Sequence, residues 1–597
     1  MSKNETYAGQ LCDWLVELGY THCFLLAGGN IMHLLEAVRT RFECIPVIHE
    51  VTAVIATEYF NETSNGGKAF ALVTAGPGLT NCMNGVTGAW LESRELLLIG
   101  GQVKSGDLSF PGLRIRGIQE VDGKTLFKSV TKSAIRIEKP MDKNKVIKAI
   151  KSGNEGRPGP VYIEFCLDAQ GAIPLINADE VKNMTAEEEI NHDVFTSLIP
   201  MIRDARRPVI LLGGSVSRSV AQKFFESIDA IGIPVMTTWN AADRIPGNHK
   251  FNWGRPQAQG QRSANLLLQQ SDLLIAIGTR LGLQQTGFNW KEFCPLAKVI
   301  QIFSDSNELR KGHPRIDFAI EGDPNKYLEM LRLALINKPP EGIEEWLEYG
   351  AIVQDFLPLN ESSNRLSTDH INPYDFVDFL CEVLKGDEVI VSSSSGATFA
   401  LVMQAFIQKK TQKIVSSGAL ASMGYAVPGA IGAAFANPGH NVIVIDGDGG
   451  FAQSLYELGT IARSSLPIKI FIIDNNGYGS IRKTQENYFS GAYLGCDYDS
   501  GLGLPNWEKL FETFDINYRS VASYEDLRGD LVTRIMDNSP LGVVIQVDPS
   551  QTYFPRIPNR VLPNGDMESA ALHEMYPVPE DRIRQMTEKY LIEWNSR

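Results

Sequence analysis

The stretch 441-NVIVIDGDGGF-451, followed by 468-IKIFIIDNNGYG-479, decides the fold of this chain. Each segment opens with an apolar run too short for a helix and apolar on both faces. That is the mark of a β-strand covered on both sides. The first ends in Asp446-Gly447-Asp448-Gly449-Gly450-Phe451, the second in Asp474-Asn475-Asn476-Gly477-Tyr478-Gly479. One helix, over about 454–464, fits between them and places both ends on one rim of a parallel sheet. Open α/β sheets bind their ligands at that rim. Glycines there let a phosphate or a metal approach the backbone. Asp448 and Asn475, 27 residues apart, present hard oxygens suited to Mg²⁺ bound together with a diphosphate. A lone Gly-Asp-Gly is ordinarily a turn; the Asn-Asn at a second strand end gives it weight. The pattern lacks the third glycine of G-x-G-x-x-G, and no G-x-x-x-x-G-K-[ST] occurs.

Similar apolar runs recur along the chain: 44–50, 68–75, 95–101, 208–214, 272–278, 298–303, 388–394 and 542–548. Helical patterns lie between them, which predicts an α/β protein with mostly parallel sheets flanked by helices. Polar stretches at about 175–192 and 337–370 look like linkers. They divide the chain into domains at 1–172, 190–336 and 368–555, with a Pro-rich tail at 556–597. A length of 597 residues suits several cores rather than one.

Composition narrows the class. Hydrophobic residues make up 43% and charged residues 21%, which is ordinary globular usage. The 56 basic and 70 acidic residues leave a charge of −14, against nucleic acid as a partner. No apolar run reaches membrane-spanning length. The N-terminus lacks the pattern of a secretory leader, and the eight cysteines are scattered with no Cys-x-x-Cys. The expectation is a cytoplasmic protein with reduced thiols.

Gly-Asp-Gly followed at this distance by Asn-Asn resembles the signature of thiamine diphosphate (ThDP) enzymes. TAGPGLTN (74–81), IQEVDGKTLFKSVTK (118–132), SSGALASMGYAVPGAIGAA (416–434) and LPIKIFIIDNN (466–476) resemble the acetolactate synthase branch. The resemblance covers nearly the whole chain and implies pyrimidine-binding, central and diphosphate-binding domains in that order. It implies Mg²⁺ on Asp448, Asn475 and the Gly477 carbonyl, with Gly447, Gly449 and Gly450 beside the diphosphate. Glu50, read as the end of an apolar strand, matches the catalytic glutamate that hydrogen-bonds the aminopyrimidine N1′. His49 should then point to the opposite face of that strand and be packed or satisfied. Met423 matches the apolar wedge under the cofactor, and the Ala421 carbonyl the acceptor of its 4′-amino group. Gly28, Gly29 and Gln119 match positions lining the reacting carbon, with Gln119 able to bond an oxyanion. A homo-oligomer with active sites at the subunit interface is implied.

In the central segment, Gly213, Gly214, Gly260, Arg280, Asp305 and Asp323 fall where flavin-containing members contact FAD. These positions read as strand-end turns, with Arg280 available for the dinucleotide diphosphate. Four places depart from the family. Gln284 replaces an arginine that recognises the acceptor carboxylate, leaving Arg482 and Lys483 as other candidate cations. Lys483-Thr484-Gln485-Glu486 stands for Met-Gln-Trp-Glu, and Ile118 for a Phe. Ser394 and Ser395 lie where Gly-Gln-His-Gln is usual, and could still bind the diphosphate. The tail resembles a subgroup that branches nucleotide-linked keto-sugars. The expected function is therefore a carboligase taking a two-carbon unit from a pyruvate-like 2-keto acid to a keto-sugar or aldehyde. The alternatives are acetolactate synthesis from two pyruvates and simple 2-keto acid decarboxylation.

Overall fold

The computed structural model describes residues 6–175, 192–366 and 369–596. Strand Val442–Gly447, which delivers Asp448, lies inside a six-stranded sheet next to Ile468–Asp474, which delivers Asn475. The order across this sheet is Lys413–Val415, Val389–Ser392, Val442–Gly447, Ile468–Asp474, Leu541–Gln546, Asn517–Val521. Every pairing is parallel, so both strands end on the same rim. The rim geometry read from the sequence holds.

An N-terminal sheet repeats that order: Glu43–Pro46, Tyr20–Leu25, Lys68–Val73, Leu96–Gln102, Pro160–Cys166, Ser133–Ile137. It too is wholly parallel. Between the two in sequence lies a parallel five-stranded sheet, Phe318–Glu321, Lys298–Phe303, Leu273–Ile277, Pro208–Leu212, Val235–Thr237. Three helix-flanked parallel sheets give the α/β fold. Among the described residues, antiparallel pairing is confined to the tail, in the hairpin Asn559–Val561 and Met567–Ser569 and the single bridge between Arg556 and Tyr576.

The ten apolar runs all land on strands, with one correction. The run at 44–50 stops being a strand at Pro46, and Glu50 opens the helix Glu50–Thr63. His49 is the N-cap, its ring Nδ1 accepting from the Val51 amide at 3.2 Å while the ring packs on Tyr456. His49 is satisfied as expected, but by capping a helix rather than by facing away on a strand. Edge strands such as Ser133–Ile137 and Asn517–Val521 were not legible. Their half-exposed, polar-bearing sequences carry no continuous apolar run. Most of the stretch 175–192 lies outside the described residues. The described part of 337–370 is no free linker. It contains the helix Glu344–Phe356, whose Trp346 meets Trp253 edge-on at 5.1 Å and whose Tyr349 meets Tyr590 of the tail at 5.2 Å.

The first and third domains are joined by the helices Glu50–Thr63 and Ala426–Ala436. The second is almost wholly small and apolar, AVPGAIGAAFA, which lets the backbones come close. A methyl group placed on Gly432 would overlap the Ala56 carbonyl oxygen, and one on Gly429 the Tyr59 ring. A buried ion pair closes the same seam: Arg94 binds Glu58 at 2.7 Å and the Ser416 carbonyl at 2.8 Å, and the Tyr425 hydroxyl donates to Glu58. Burial lifts the Glu58 carboxyl to about 7 despite the pull of Arg94. Gly432→Val should therefore overpack the seam, costing about 1–3 kcal/mol. The check is calorimetry, where the variant should show an earlier first unfolding transition. An unchanged thermogram would mean that this helix contact does not hold the domains.

Candidate active site

The Asp448 carboxylate is the organising group of the rim. It is buried, accepting from the Gly449 amide through Oδ1 and from the Gly477 amide through Oδ2, both at 2.7 Å. Those bonds tie the loops after two adjacent strands together. Gly477 has φ +125°, and a side chain there would strike the Cys496 carbonyl, so the position takes glycine. A side chain at Gly449 would meet the Tyr478 ring, and one at Gly450 the Asp446 carboxylate. Burial, reinforced by the neighbouring Asp474 carboxylate, pushes Asp448 up to about 8. Burial also raises Asp446 to about 7. A cation at this rim would restore the charged form of Asp448.

The donor set fits Mg²⁺ held jointly with a diphosphate. Asn475 Oδ1 is buried and has no hydrogen-bond partner, an atom that needs an electrophile. Among the described residues no three His, Cys, Asp or Glu side chains cluster as in an all-protein metal cage. One carboxylate, one amide oxygen and one carbonyl leave the remaining positions to phosphate and water, the usual arrangement for Mg²⁺. Ser395 is the N-cap of the helix Gly396–Ala405 and makes no side-chain cap bond. Ser394 is buried, its Oγ accepting from the Ser417 amide. A methyl group on Gly447 would sit 3.3 Å from Thr398 Oγ1, and one on Gly396 3.8 Å from Ser480 Oγ. The helix N-terminus, Gly447 and the segment after Asn475 thus surround one space, where backbone N–H groups suit a diphosphate.

A second cluster forms on the N-terminal rim. Gly28 packs so closely on Thr74 that a methyl group would overlap it, while one on Gly29 would meet open space. Gly76, at φ +64°, makes room for the backbone of Gln119. Gln119 and Ala421 themselves hold positive φ, +61° and +55°, a strained state for residues with a β-carbon and one that concentrates at functional sites. Glu120 holds the loop carrying Gln119. Burial alone would raise its carboxyl, but amide bonds from Ser109, Arg116 and Gly117 win and hold it at about 2. Met423 lies against Gln453, just beyond the Asp448 turn. The Ala419 amide bonds Glu92, fixing the loop that presents Ala421.

Glu50 is 7% exposed, and its Oε2 accepts from Asn81 Nδ2 at 3.0 Å. Asn81 lies in the TAGPGLTN segment, where sequence reasoning gave it no role. Glu457 was also missed: its Oε1 accepts from both the Ile48 and His49 amides at 3.1 Å, tying the diphosphate-binding domain to the residues before Glu50. Neither has a periodicity signal; only the fold brings them to Glu50.

The central positions divide. A cavity of about 1600 Å³ opens at the carboxyl ends of the five-stranded sheet, lined by Gly214, Gly278, Thr279, Arg280, Ser304 and Asp323 among others. Its size suits a dinucleotide better than a metabolite. Gly213 lies behind it, pressed on Gly278. Two expected positions are otherwise engaged. Asp305 pairs with Arg157 at 3.1 Å and caps the helix Ser306–Leu309. Gly260 is no strand-end turn but a tight loop against Arg255 and Gln257, ahead of the helix Arg262–Gln270.

At the departures, Gln284 lines the same cavity and donates to the Gly418 carbonyl at 3.4 Å. Ile118 is 87% exposed. Both candidate replacement cations are committed elsewhere. Arg482 donates to the carbonyls of Asn475 and Pro549, and Lys483 pairs with Glu486 at 2.8 Å. Arg482 is therefore a brace for the Asn475 turn.

Comparison with known proteins agrees with the three-domain fold. Residues 5–126 match the N-terminal TPP binding domain of thiamine pyrophosphate enzymes, 195–331 the central domain, and 395–547 the C-terminal TPP binding domain. The chain is 31% identical over 530 residues to a probable acetolactate synthase large subunit of Methanocaldococcus jannaschii, covering 85% of this chain and 86% of that relative. It is 28% identical over 557 residues to the acetolactate synthase large subunit of Lactococcus lactis, covering 91% and 93% of the two chains. To the Escherichia coli acetolactate synthase isozyme 1 large subunit it is 27% identical over 561 residues, covering 93% and 96%. With its three domains matched and its relatives aligned almost end to end, the chain belongs to the ThDP-dependent enzymes of the acetolactate synthase large-subunit family.

Proposed function

We propose that this enzyme decarboxylates pyruvate or a similar 2-keto acid and joins the resulting two-carbon unit to a second 2-keto acid, as an acetolactate synthase. The reading rests on relatives that carry that name. The observation that carries it is the Asp448 clamp beside an unpartnered Asn475 oxygen. In this reading Asp448, Asn475 and the Gly477 carbonyl hold Mg²⁺, and the helix Gly396–Ala405 faces the diphosphate. When bound, ThDP would supply a nucleophilic carbon and a sink for the electrons released with CO₂. Glu50, fixed by Asn81, holds and returns the proton at the aminopyrimidine N1′. Ala421 would offer its carbonyl to the 4′-amino group, and Met423 would pack as an apolar support under the cofactor. Gln119, held by its strained backbone and the Glu120 loop, donates to the oxygen that gains negative charge.

FAD in the central cavity belongs to the same proposal, since Gly214, Arg280 and Asp323 line a volume sized for it. So does a homo-oligomer with sites between subunits. Exposed Phe110, Ile115 and Ile118 on one loop, with Phe489 at the end of the helix Gly479–Phe489 and Leu494 and Tyr498 just after it, leave apolar surface that a second copy would cover.

A second reading, transfer to a keto-sugar or aldehyde, is favoured by Gln284. A neutral amide bonded to a backbone carbonyl offers no ion pair to an acceptor carboxylate. The relatives support the first reading more strongly, so we place it first.

Four outcomes test these assignments. Glu50→Gln should lower turnover by roughly 10²–10⁴ and leave ThDP binding by calorimetry intact; normal turnover would remove Glu50 from the mechanism. The purified protein should be yellow and release about one FAD per chain on denaturation; active but colourless protein would show the cavity serves otherwise. With pyruvate alone, acetolactate should be the main product by mass spectrometry. If Gln284 has cost a charge-assisted pair of roughly 1.5–3 kcal/mol, Gln284→Arg should raise selection for the second keto acid by up to about 10- to 150-fold. Slow acetolactate formation together with rapid coupling to an added keto-sugar would establish the second reading.

A further inference from the structure

Arg255 is an unusual residue on the face the central domain turns to its neighbour. Its side chain is 4% exposed, and among the described residues no carboxylate lies within ion-pair distance, Asp243 acting on it only from further away. Its guanidinium donates to the Met403 carbonyl at 2.8 Å, the Phe406 carbonyl at 2.7 Å and Gln408 Oε1 at 2.6 Å. Gln261, whose own Oε1 accepts from the Arg255 amide, donates to the Gln404 carbonyl at 2.6 Å. These carbonyls are the free C-terminal end of the helix Gly396–Ala405, whose C-cap is Phe406. The opposite end of that helix, ~15 Å away by its ten residues, is the uncapped N-terminus beside Ser395, Gly447 and Ser480.

The helix is buried from Thr398 through Ala405, so water screens its dipole little. A cation at the C-terminus and an anion at the N-terminus each stabilise the aligned peptides. Arg255 bears the cost of a buried, unpaired charge, and the arrangement places that charge on the axis of the helix that ends at the expected diphosphate.

We propose that Arg255 is a positioning residue for the cofactor diphosphate, acting through the helix Gly396–Ala405. The central domain thereby contributes to ThDP affinity without touching ThDP. This rests on the reading that the helix N-terminus takes the diphosphate. Arg255→Gln keeps a donor and loses the charge; Arg255→Lys keeps the charge with fewer donors. Affinity for Mg²⁺–ThDP is read from quenching of tryptophan fluorescence on the full-length protein, with Mg²⁺–pyrophosphate and unphosphorylated thiamine as probes.

Arg255→Gln should weaken ThDP and pyrophosphate by roughly three- to ten-fold, the attraction expected of one charge acting over ~15 Å through buried protein. Thiamine affinity should stay constant, as should kcat at saturating ThDP, and Arg255→Lys should restore diphosphate affinity. Unchanged ThDP affinity in Arg255→Gln would overturn the proposal. So would equal losses for thiamine and ThDP, or a folded Arg255→Lys as weak as the Gln variant. Should Arg255→Gln fail to fold, the Lys variant decides alone: wild-type diphosphate affinity supports the charge role, and a loss refutes it. Wild-type protein that binds ThDP but not pyrophosphate would refute the diphosphate reading itself.

Discussion

A buried carboxylate that accepts from two backbone amides on neighbouring loops is the constraint on which this site depends. Asp448 cannot hold both the Gly449 and Gly477 amides unless its strand and the next one end at the same height. Parallel pairing in register secures that: Asp446 lies opposite Ile472 and Gly447 opposite Ile473. The two amides fix the loop conformations, the glycines keep the space clear, and Arg482 braces the Asn475 turn from outside. What remains unsatisfied, the Asn475 oxygen and the N-terminus of the helix Gly396–Ala405, is what a cation and a diphosphate require. The polar groups left over describe the ligand.

The packing between domains serves the same end. The helix that begins with Glu50 is seated by direct backbone approach at Gly432, so its N-terminus has little freedom. Glu457 adds a second restraint by gripping the two amides that precede Glu50. A carboxylate proposed to exchange a proton with one ring nitrogen needs that fixity, because small misplacements cost large factors in rate. Apolar burial supplies the cohesion, and a few polar bonds supply the position.

Much of this was legible in the sequence because it is local. Asp448, Asn475 and Gly477 sit at the ends of continuous apolar runs, and parallel strands buried on both faces announce themselves in that way. Glu50 was singled out by its motif, but its setting was misread. An apolar run that passes through Pro46 and on to a capping histidine looks like one strand when it is a strand and a helix start. Asn81, Glu120 and Glu457 were illegible for a different reason. Each acts on a neighbour through a hydrogen bond made only after folding, and its own surroundings in sequence are unremarkable. Arg482 was legible as a cation but not as an occupied one, since partners on backbone carbonyls leave no trace in side-chain pattern. Gly260 and Asp305 show the converse limit: matching positions in sequence, set to structural tasks.

The shared strand order of the first and third sheets has a consequence beyond packing. Corresponding rim positions can be read off in pairs. After the strand Tyr20–Leu25 come Gly28 and Gly29, and after its counterpart Val389–Ser392 come Ser394 and Ser395. After Glu43–Pro46 comes the helix that Glu50 begins; after Lys413–Val415 come Ala421, Met423 and the helix Ala426–Ala436 that packs on it. After Lys68–Val73 comes the Thr74–Gly76 turn, where Val442–Gly447 leads to Asp448. The molecule carries one blueprint twice, with the duties shared out. One copy bears Glu50 and the close-packed turns, the other the Asp448 clamp and the uncapped helix N-terminus, and the paired helices at the seam lie between these two divisions of labour.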